Sequence, residues 1–313
     1  DEPKVETKEV AKVTIQTPIS HIETDKELWK ETCEFANMLT YCRPHSSKTE
    51  RKFIAKYLVP LGVTFDKSGN AYKQIGKEPI VLWSSHTDTV HREAGFQKIE
   101  YYPDKVTGDI FLQTAPKPKS SCLGADDTTG IWLMMEMIKA NVPGLYIFHR
   151  GEECGRIGSK WIAENNKTAL LGIKFAIAFD RKGEKSIITY QNAKRCCSDD
   201  FAKSLSEQLG MGHTCDTTGS FTDTASYVDL IPECTNVSTG YENAHCWDEK
   251  TNVDYLFRLR DALIKIDVTK LVEKRKPGEN DRLYQTYTYK GSNEWGGYDG
   301  WADGYYAEAS KAK

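Results

Sequence analysis

The sequence lacks any long apolar run, and it lacks an excess of basic charge. No stretch approaches the roughly 18 consecutive apolar residues that a membrane-spanning helix requires. The 42 Lys and Arg residues do not outnumber the 45 Asp and Glu residues, and they form no long basic stripe. Such a stripe is the usual electrostatic signature of a nucleic-acid-binding protein. These absences predict a protein without a membrane span and without a nucleic-acid partner.

Cysteine motifs are also missing. The nine cysteines are scattered, and no Cys-x-x-Cys spacing occurs, although Cys196 and Cys197 are adjacent. Neither a zinc ribbon nor a redox motif is therefore indicated. Residues 1–13 contain no apolar core of a secretory signal. We expect reduced thiols and a cytoplasmic protein.

The composition is that of an ordinary globular protein with an unusual end. Of the 313 residues, 39% are hydrophobic and 28% are charged, which is enough to bury a core. We predict a flexible leader at 1–22, one globular domain at 23–270 and a tail at 271–313. Residues 281–313 hold eight Tyr or Trp and five Gly. We expect this tail to be disordered or draped over the surface, either as a protein-binding element or as a plain extension.

Short apolar runs alternate with helical patterns along the middle of the chain. The runs 80–83, 145–148 and 175–179 predict strands, and 131–140 and 253–266 predict helices. Strands bare of polar residues and separated by helices are typical of a parallel sheet covered on both faces. We therefore predict an α/β fold with three layers, α/β/α, around a mainly parallel mixed sheet.

Further elements flank this alternation. A helix is predicted from residue 24 or 25 to 39, and Ser47 with Glu50 predicts a capping box that opens a second helix. Residues 63–65 and 71–74 flank a Lys-Ser-Gly-Asn turn and predict a hairpin. Residues 91–120 interrupt the alternation and predict an extra hairpin.

Potential metal ligands follow the apolar strands where each strand ends. His86 and Asp88 follow the first strand, and Glu152 and Glu153 follow the second. In open α/β sheets ligands bind beyond the carboxyl ends of the strands, so these groups are candidates for one site. Taken alone, the His-x-Asp pattern is equally typical of a surface turn, and the glutamates of a solvated acidic loop.

Three more candidates lie further along the chain. Asp180 ends an apolar strand, where a charge needs a partner such as a metal ion. Asp126 lies where a loop enters a helix, and an N-cap is the alternative interpretation of that residue. His245 follows a predicted strand at 235–238 through a glycine-containing loop, with Glu249 four residues later. The remaining histidines lack such settings and are interpreted as ordinary side chains: His21, His45, His91, His149 and His213.

The ordered set His, Asp, Glu-Glu, Asp, His resembles a family, the co-catalytic zinc exopeptidases. That family includes peptidase T, the carboxypeptidase-type dipeptidases and the bacterial leucyl aminopeptidases. The resemblance covers about residues 24–268, and its fold is the zinc-exopeptidase type. The segments that carry it are SSHTDTV, LGADDTTGI, GEECGRIGS and GYENAHCWDE.

The resemblance implies two divalent metal ions, with Zn²⁺ favoured and Co²⁺ or Mn²⁺ as substitutes. It implies Asp126 as the ligand shared by both ions, Glu152 as the general base and Asp88 as the residue that orients His86. Thr222 and Asp223 resemble a substrate-side loop of the aminopeptidase branch. The division of ligands between the ions stays open, although Asp180 and His245 are assigned to the second site. The implied metal ligands are His86, Asp126, Glu153, Asp180 and His245.

The sequence departs from this family in two respects. Only 65 residues (245 − 180) separate Asp180 from His245, too few for the lid domain of some branches, so we expect a single-domain monomer. The dipeptidase-type motif has Lys two residues after the shared Asp, whereas this chain has Thr128. Substrate class is therefore open between aminopeptidase, dipeptidase and carboxypeptidase.

The sequence thus predicts a zinc-dependent exopeptidase that acts on short peptides, with an aminopeptidase favoured. Two alternatives share the scaffold. One is an acyl transferase similar to glutaminyl cyclase, which uses one zinc ion. The other is a binding protein that has lost its metal and uses the aromatic tail for interaction. The complete ligand set and the Glu152 base argue against both alternatives.

Overall fold

The structure is a computed structural model that describes residues 26–115 and 120–278, with the side chains of 26–29 left out. The predicted leader, 1–22, and residues 279–313 of the predicted tail lie outside the described residues. The domain boundaries inferred from the sequence therefore stay predictions. No helix among the described residues combines the length and the apolar surface that a bilayer span needs.

Helices account for much of the described chain. Ser47 caps α2, because its hydroxyl accepts a hydrogen bond from Glu50 N (3.0 Å), as the predicted capping box requires. Asn252 caps α6 in the same way through Tyr255 N (2.9 Å). The α-helices are α1 Lys26–Leu39, α2 Lys48–Phe53, α3 Ala125–Lys139, α4 Ile157–Asn165, α5 Asp199–Leu209 and α6 Val253–Ile264.

The strands form one large sheet and three smaller ones. In chain order they are β1 Tyr41–Cys42, β2 Thr64–Phe65, β3 Ala71–Ile75, β4 Val81–His86, β5 Gly95–Phe96, β6 Ile99–Pro103, β7 Ile110–Thr114, β8 Gly144–His149, β9 Phe175–Arg181, β10 Ser186–Ile188, β11 Tyr190–Gln191, β12 Lys194–Arg195, β13 Thr214–Asp216, β14 Glu233–Ser238, β15 Tyr241–Glu242 and β16 Lys250–Asn252.

The large sheet has eight strands in the order β13-β10-β14-β9-β4-β8-β3-β2. Its four middle strands, β14, β9, β4 and β8, run parallel, while β10, β3 and β2 each pair antiparallel with a neighbour. Every residue of β4, β8 and β14 is buried, which is the reason that these strands are bare of charged residues in their middles. The predicted mainly parallel mixed sheet is confirmed.

Two separate apolar cores cover the two faces of this sheet. Trp83 and Phe179 stack at 5.8 Å on one face, in the core that also contains side chains of α1, α3, α5 and α6. Leu82 and Ala176 belong to the other core, together with Ile162 of α4. Neighbouring residues of one strand thus face opposite cores, as the alternation of side chains along a strand requires. The predicted three-layer α/β/α architecture is confirmed.

Both predicted hairpins are present. Strands β2 and β3 pair antiparallel around the Lys-Ser-Gly-Asn turn. Strands β6 and β7 form the hairpin expected within residues 91–120, and they extend to a four-stranded sheet, β15-β16-β7-β6. The turn between β15 and β16 carries His245. This small sheet therefore brings a late segment of the chain to the edge of the large sheet.

The start of α3 differs from its prediction. The sequence predicts a helix from residue 131, whereas α3 begins at Ala125. Asp126 and Asp127 inside that first turn have non-helical dihedral angles. The two acidic residues were interpreted as loop because their short polar side chains favour such conformations. The predicted start of α3 is therefore too late, and the non-helical backbone at Asp126 and Asp127 lies in the turn that the prediction left out.

Residues 271–278, the described beginning of the predicted tail, are bound to the domain at Glu233. This side chain is fully buried at the start of β14. Its Oε1 accepts hydrogen bonds from Lys274 N (2.7 Å) and Arg275 N (2.8 Å), and its Oε2 accepts one from Ser198 N (2.6 Å). One carboxylate thus joins the segment after α6 to the start of α5.

We predict that Glu233→Ala lowers the free energy of unfolding by about 3 kcal/mol, because three backbone N–H groups lose their acceptor on a fully buried side chain. Glu233→Gln is the matched control, since its amide oxygen still accepts on one side, and its loss should be roughly half as large. Urea unfolding followed by circular dichroism measures both. Equal stabilities of the wild type and the alanine variant would contradict this role.

Candidate metal centre

Three neighbouring strands of the large sheet deliver ligand-type side chains to one edge. His86 is the last residue of β4, and Asp180 lies one residue before the end of β9. Glu152 and Glu153 lie in the loop that follows β8. Because β8, β4 and β9 are parallel and adjacent, their carboxyl ends meet at the same edge. The structure therefore brings together groups that are up to 94 positions apart (180 − 86) in the chain.

The five ligands implied by the sequence resemblance form two groups that share Asp126. One group contains His86, Asp126 and Asp180, and the other contains Asp126, Glu153 and His245. Within each group the candidate ligand atoms lie within 4.8 Å of one another. The sequence analysis assigned Asp180 and His245 to one site, but the structure separates them. Asp180 is on the strand beside His86, whereas His245 approaches from the small sheet.

The carboxylate of Asp126 lies between the two imidazoles. Its Oδ1 is 3.1 Å from His86 Nε2, and its Oδ2 is 3.1 Å from His245 Nε2. On the outer sides, His86 Nε2 is 3.5 Å from Asp180 Oδ1, and His245 Nε2 is 3.1 Å from Glu153 Oε1. Each carboxylate oxygen of Asp126 thus faces a different group, which is the arrangement that a ligand bridging two metal ions needs.

Glu249 holds the loop that carries Asp126. Its carboxylate is buried and accepts hydrogen bonds from the backbone N–H groups of Leu123 and Gly124 (both 2.8 Å) and of Asp126 (3.0 Å). Burial, and then the nearby Asp126 charge, raise the pKa of Glu249 to about 8. In the sequence, Glu249 is marked only by its position four residues after His245. Its role depends on a contact with a loop 123 positions earlier (249 − 126), which no local pattern indicates.

Asp127 connects the start of α3 to the end of β4. Its Oδ1 accepts a hydrogen bond from Gly130 N (3.0 Å), and its Oδ2 accepts one from His86 N (3.1 Å). The first of these bonds is a capping contact, so the N-cap interpretation weighed for Asp126 fits its neighbour instead. A Cβ at Gly130 would lie 2.5 Å from Phe179 O and 2.4 Å from Asp127 Oδ1, so only glycine allows this close approach.

Asp88 has a wider role than the orientation of His86. His86 Nδ1 lies 3.0 Å from the backbone carbonyl of Asp88 and 3.6 Å from its carboxylate, so the carbonyl is the nearer partner. The carboxylate accepts hydrogen bonds from Glu152 N (3.1 Å) and Glu153 N (3.3 Å). Donation from Nδ1 to the carbonyl leaves Nε2 of His86 as the free ligand atom. Asp88 therefore positions both the histidine and the glutamate pair.

The predicted substrate-side loop contacts a ligand directly. Thr222 Oγ1 donates a hydrogen bond of 2.6 Å to Asp180 Oδ2. The adjacent Asp223 is buried, and its Oδ2 lies 3.5 Å from Nδ1 of His149. Burial raises the pKa of Asp223 to about 7. This loop therefore helps to orient Asp180.

Among the described residues, the histidines other than His86 and His245 lie outside both groups. Burial lowers the pKa of His91 to about 4 and that of His149 to about 3, so both are neutral at physiological pH. His149 Nε2 lies 2.7 Å from the hydroxyl of Tyr227. These two are structural side chains, as expected. His45 differs, because it lies beside Asp88 and Cys154.

Thr128 stands where the dipeptidase-type motif has lysine, and a different cation reaches this position. The buried Arg43 donates from Nη2 to Thr128 Oγ1 (2.9 Å) and from Nε to Thr87 O (3.0 Å). Burial lowers the pKa of Arg43 to about 10, while Glu50 and Asp127 favour its charged form. The guanidinium of Arg43, which follows β1, thus supplies a positive charge next to Thr128 and close to Asp127.

The charge balance of the centre fits bound cations. Burial and neighbouring carboxylates raise the pKa of Glu152 to about 9 and that of Asp180 to about 7. Hydrogen bonds to Asp126 and Glu153 raise the pKa of His245 to about 11. Glu153 Oε1 is buried without a well-directed hydrogen bond. The five candidate ligands, two imidazoles and three carboxylates, form an oxygen- and nitrogen-rich donor set, which suits Zn²⁺, Co²⁺ or Mn²⁺.

Comparisons with known proteins agree with this geometry. No protein-family model matches the sequence, and no curated protein matches it either. Solved structures do match. Aminopeptidase PepT from Bacillus cereus has a TM-score of 0.60 at 15% identity, over 76% of this chain and 97% of that chain. A tripeptidase from Staphylococcus aureus has a TM-score of 0.60 at 14% identity, over 77% and 98% of the two chains.

The fold is that of these peptidases. The TET1 peptidase of Pyrococcus horikoshii, which can assemble into a tetrahedron or a large octahedral shell, has a TM-score of 0.54 at 14% identity, over 77% of this chain and 99% of that chain. These neighbours belong to the class that the sequence resembles. At such low identity the likeness establishes the fold, and the chemistry has to be argued from the side chains.

We predict that metal content follows the two groups. After dialysis against zinc, His245→Ala should retain about one ion per chain fewer than the wild type, and Asp126→Ala about two fewer, because Asp126 belongs to both groups. Elemental analysis measures the content. Asp104→Asn, in an exposed turn, is the carboxylate control and should retain as much zinc as the wild type. Equal zinc in all four proteins would contradict the assignment.

We also predict that a chelator lowers the melting temperature of the wild type. Ligands that bind only the folded state at 100 times their dissociation constant stabilise it by about 2.7 kcal/mol, which is roughly 5–10 °C for a domain of this size. Differential scanning fluorimetry with and without chelator measures the shift, and added zinc should reverse it. The shift should be much smaller in Asp126→Ala, which lacks the ligand that the two groups share.

Proposed function

We propose that this chain is a metal-dependent exopeptidase, and specifically an aminopeptidase that hydrolyses short peptides. The observation that carries the proposal is the position of Asp126, with each carboxylate oxygen 3.1 Å from the Nε2 atom of a different histidine. Two complete ligand groups around one carboxylate are the donor arrangement of a two-metal hydrolytic site.

The ligand roles follow from the two groups. His86 and Asp180 would hold one cation, Glu153 and His245 would hold the other, and Asp126 belongs to both groups. When bound, such a pair of divalent cations polarises the scissile carbonyl and lowers the pKa of the attacking water towards 7. Asp88 keeps His86 in the required tautomer through its carbonyl and fixes the glutamate loop through its carboxylate.

Glu152 is the general base of the proposed reaction. It takes a proton from the attacking water and delivers it to the leaving amine. Its backbone N–H is fixed by Asp88, and within the described residues its carboxylate accepts no hydrogen bond, so the group is free to exchange a proton. Burial raises its pKa to about 9, and positive charge beside it would lower this value towards the range in which a base works.

A cavity beside the candidate centre supports short peptides as substrates. It has a volume of about 1100 Å³ and reaches His245. Its lining includes the exposed aromatic side chains of Phe96 and Trp247 and the basic side chains of Arg92 and Lys98. Known small-molecule pockets occupy roughly 300–1,000 Å³, so this space accommodates a few residues rather than a folded protein.

The cellular setting belongs to the same proposal. All nine cysteines are free, which is the state expected in a reducing cytoplasm. We propose a monomer, because the described segment between Asp180 and His245 holds no lid domain through which to dimerise. Light scattering on the purified protein tests this assignment, and the assembly of the TET1 peptidase shows that the fold also permits large shells. The suggested protein partner of the tail concerns residues outside the described ones.

We predict that Glu152→Gln lowers kcat for an aminoacyl anilide by about 10²- to 10⁴-fold while the zinc content stays that of the wild type, since the amide cannot accept the proton. Glu153→Gln is the matched neighbour and should lose zinc as well as activity. An N-acetylated anilide should resist the wild type, because an aminopeptidase requires a free amino terminus.

Other outcomes would select other functions. Cleavage of the acetylated substrate, or of a carboxyl-terminal residue, would replace the aminopeptidase assignment by another exopeptidase. One zinc ion with cyclisation of amino-terminal glutamine would favour the acyl transferase. A protein without zinc or turnover, in which Glu152→Gln changes nothing, would be a binding scaffold.

A further inference from the structure

A third cluster of ligand-type side chains surrounds Asp88, outside the two groups that share Asp126. It consists of His45, Asp88 and Cys154, and one ligand atom from each lies within 4.8 Å of the others. His45 comes from the segment between β1 and α2, Asp88 follows β4, and Cys154 lies in the loop after β8. The cluster offers one nitrogen, one oxygen and one sulfur donor, which the co-catalytic groups do not.

The imidazole of His45 is packed against the loop that carries Cys154. A Cβ at Gly151 would lie 2.9 Å from His45 Cε1 and 3.0 Å from its Nδ1, so the ring occupies the space beside that glycine. Nδ1 is buried and finds no hydrogen-bond partner among the residues that the structure describes. Packing alone explains the position of the ring, but it leaves a buried polar nitrogen unsatisfied, and such groups are rare in native structures.

Asp88 and Cys154 complete the donor set. The Asp88 carboxylate is fully buried, and its oxygens accept backbone hydrogen bonds from Glu152 and Glu153. A carboxylate has about four lone-pair positions, so it can still bind a cation. Cys154 is free and exposed, and it therefore gives an ion a path from solvent.

We propose that His45, Asp88 and Cys154 form a third metal site, which binds a thiophilic divalent cation of the Zn²⁺ class with solvent as the fourth ligand. Tetrahedral coordination by nitrogen, oxygen and thiolate suits Zn²⁺, whereas Mg²⁺ and Ca²⁺ prefer oxygen alone. On binding, the Cys154 thiol releases its proton to solvent as the sulfur–metal bond forms. The site does not depend on the proposed hydrolytic activity.

The position of this site connects it to the co-catalytic centre. The Asp88 carboxylate lies 3.6 Å from His86 Nδ1 and fixes the backbone of Glu152 and Glu153. An ion bound to Asp88 would therefore share the carboxylate that positions His86 in one co-catalytic group and Glu153 in the other. Affinities at the third site and at the co-catalytic groups are consequently coupled, and the coupling is reciprocal.

Cobalt titration of the metal-free protein tests the proposal. The five co-catalytic ligands contain no sulfur, so a thiolate-to-cobalt charge-transfer band in the near ultraviolet reports only cobalt bound to cysteine. We expect such a band in the wild type, saturating at about one cobalt–thiolate per chain. Cys154→Ser should abolish it, and His45→Gln should raise the dissociation constant for that cobalt at least tenfold.

Two cysteine variants are the controls. Cys215→Ser removes another exposed thiol, and Cys246→Ser removes the thiol next to His245. Both should keep the band. The visible cobalt absorption of Cys154→Ser should show that the remaining groups still load, whether or not the protein cleaves peptides. Absence of the band in the wild type, its persistence in Cys154→Ser, or its loss in Cys246→Ser would each overturn the third site.

A chemical measurement gives an independent readout that needs no variant. Alkylation of Cys154 by iodoacetamide, mapped by peptide mass, should slow at least tenfold when zinc is present, because the thiolate is then a metal ligand. Cys215 should react at one rate in both conditions. Equal rates at Cys154 with and without zinc would show that the thiol binds no ion.

Discussion

The shared position of one carboxylate, that of Asp126, is the constraint on which the rest of the centre depends. Two imidazoles that are 159 positions apart (245 − 86) must approach opposite oxygens of this group at 3.1 Å. Such a buried carboxylate needs both cationic partners and a rigid backbone. Glu249 supplies the second requirement through three backbone N–H groups, and Asp127 fixes the first turn of α3 to β4.

The sheet explains how the remaining groups reach this carboxylate. The middle strands are buried on both faces, and in β4, β8 and β9 the charged and imidazole side chains lie at the carboxyl ends, where the backbone leaves the sheet. His86 and Asp180 therefore arrive side by side without any insertion. Asp88 fixes the backbone of Glu152 and Glu153, because its carboxylate accepts a hydrogen bond from the N–H group of each. The same carboxylate also belongs to the third cluster, so two candidate sites depend on one anchor.

Several features of the centre could not be predicted from local patterns. The role of Glu249 depends on pairing between β16 and β7, which carries it to a loop early in the chain. Arg43 reaches Thr128 only because the segment after β1 packs beside α3. His45 was set aside as an ordinary histidine, since neither of its neighbours in the cluster is near it in sequence. Long-range packing decided these contacts, and single-sequence patterns report only nearby residues.

The sequence by itself determined the α/β layering, because apolar runs bounded by glycines and acidic residues are local signals that burial imposes directly. The family resemblance then indicated five candidate ligand positions. Only the tertiary structure decided how those ligands divide, with Asp180 beside His86 and His245 beside Glu153. The reason is physical. Strand order and the approach of the small sheet set which side chains are neighbours, and both depend on packing between segments far apart in the chain.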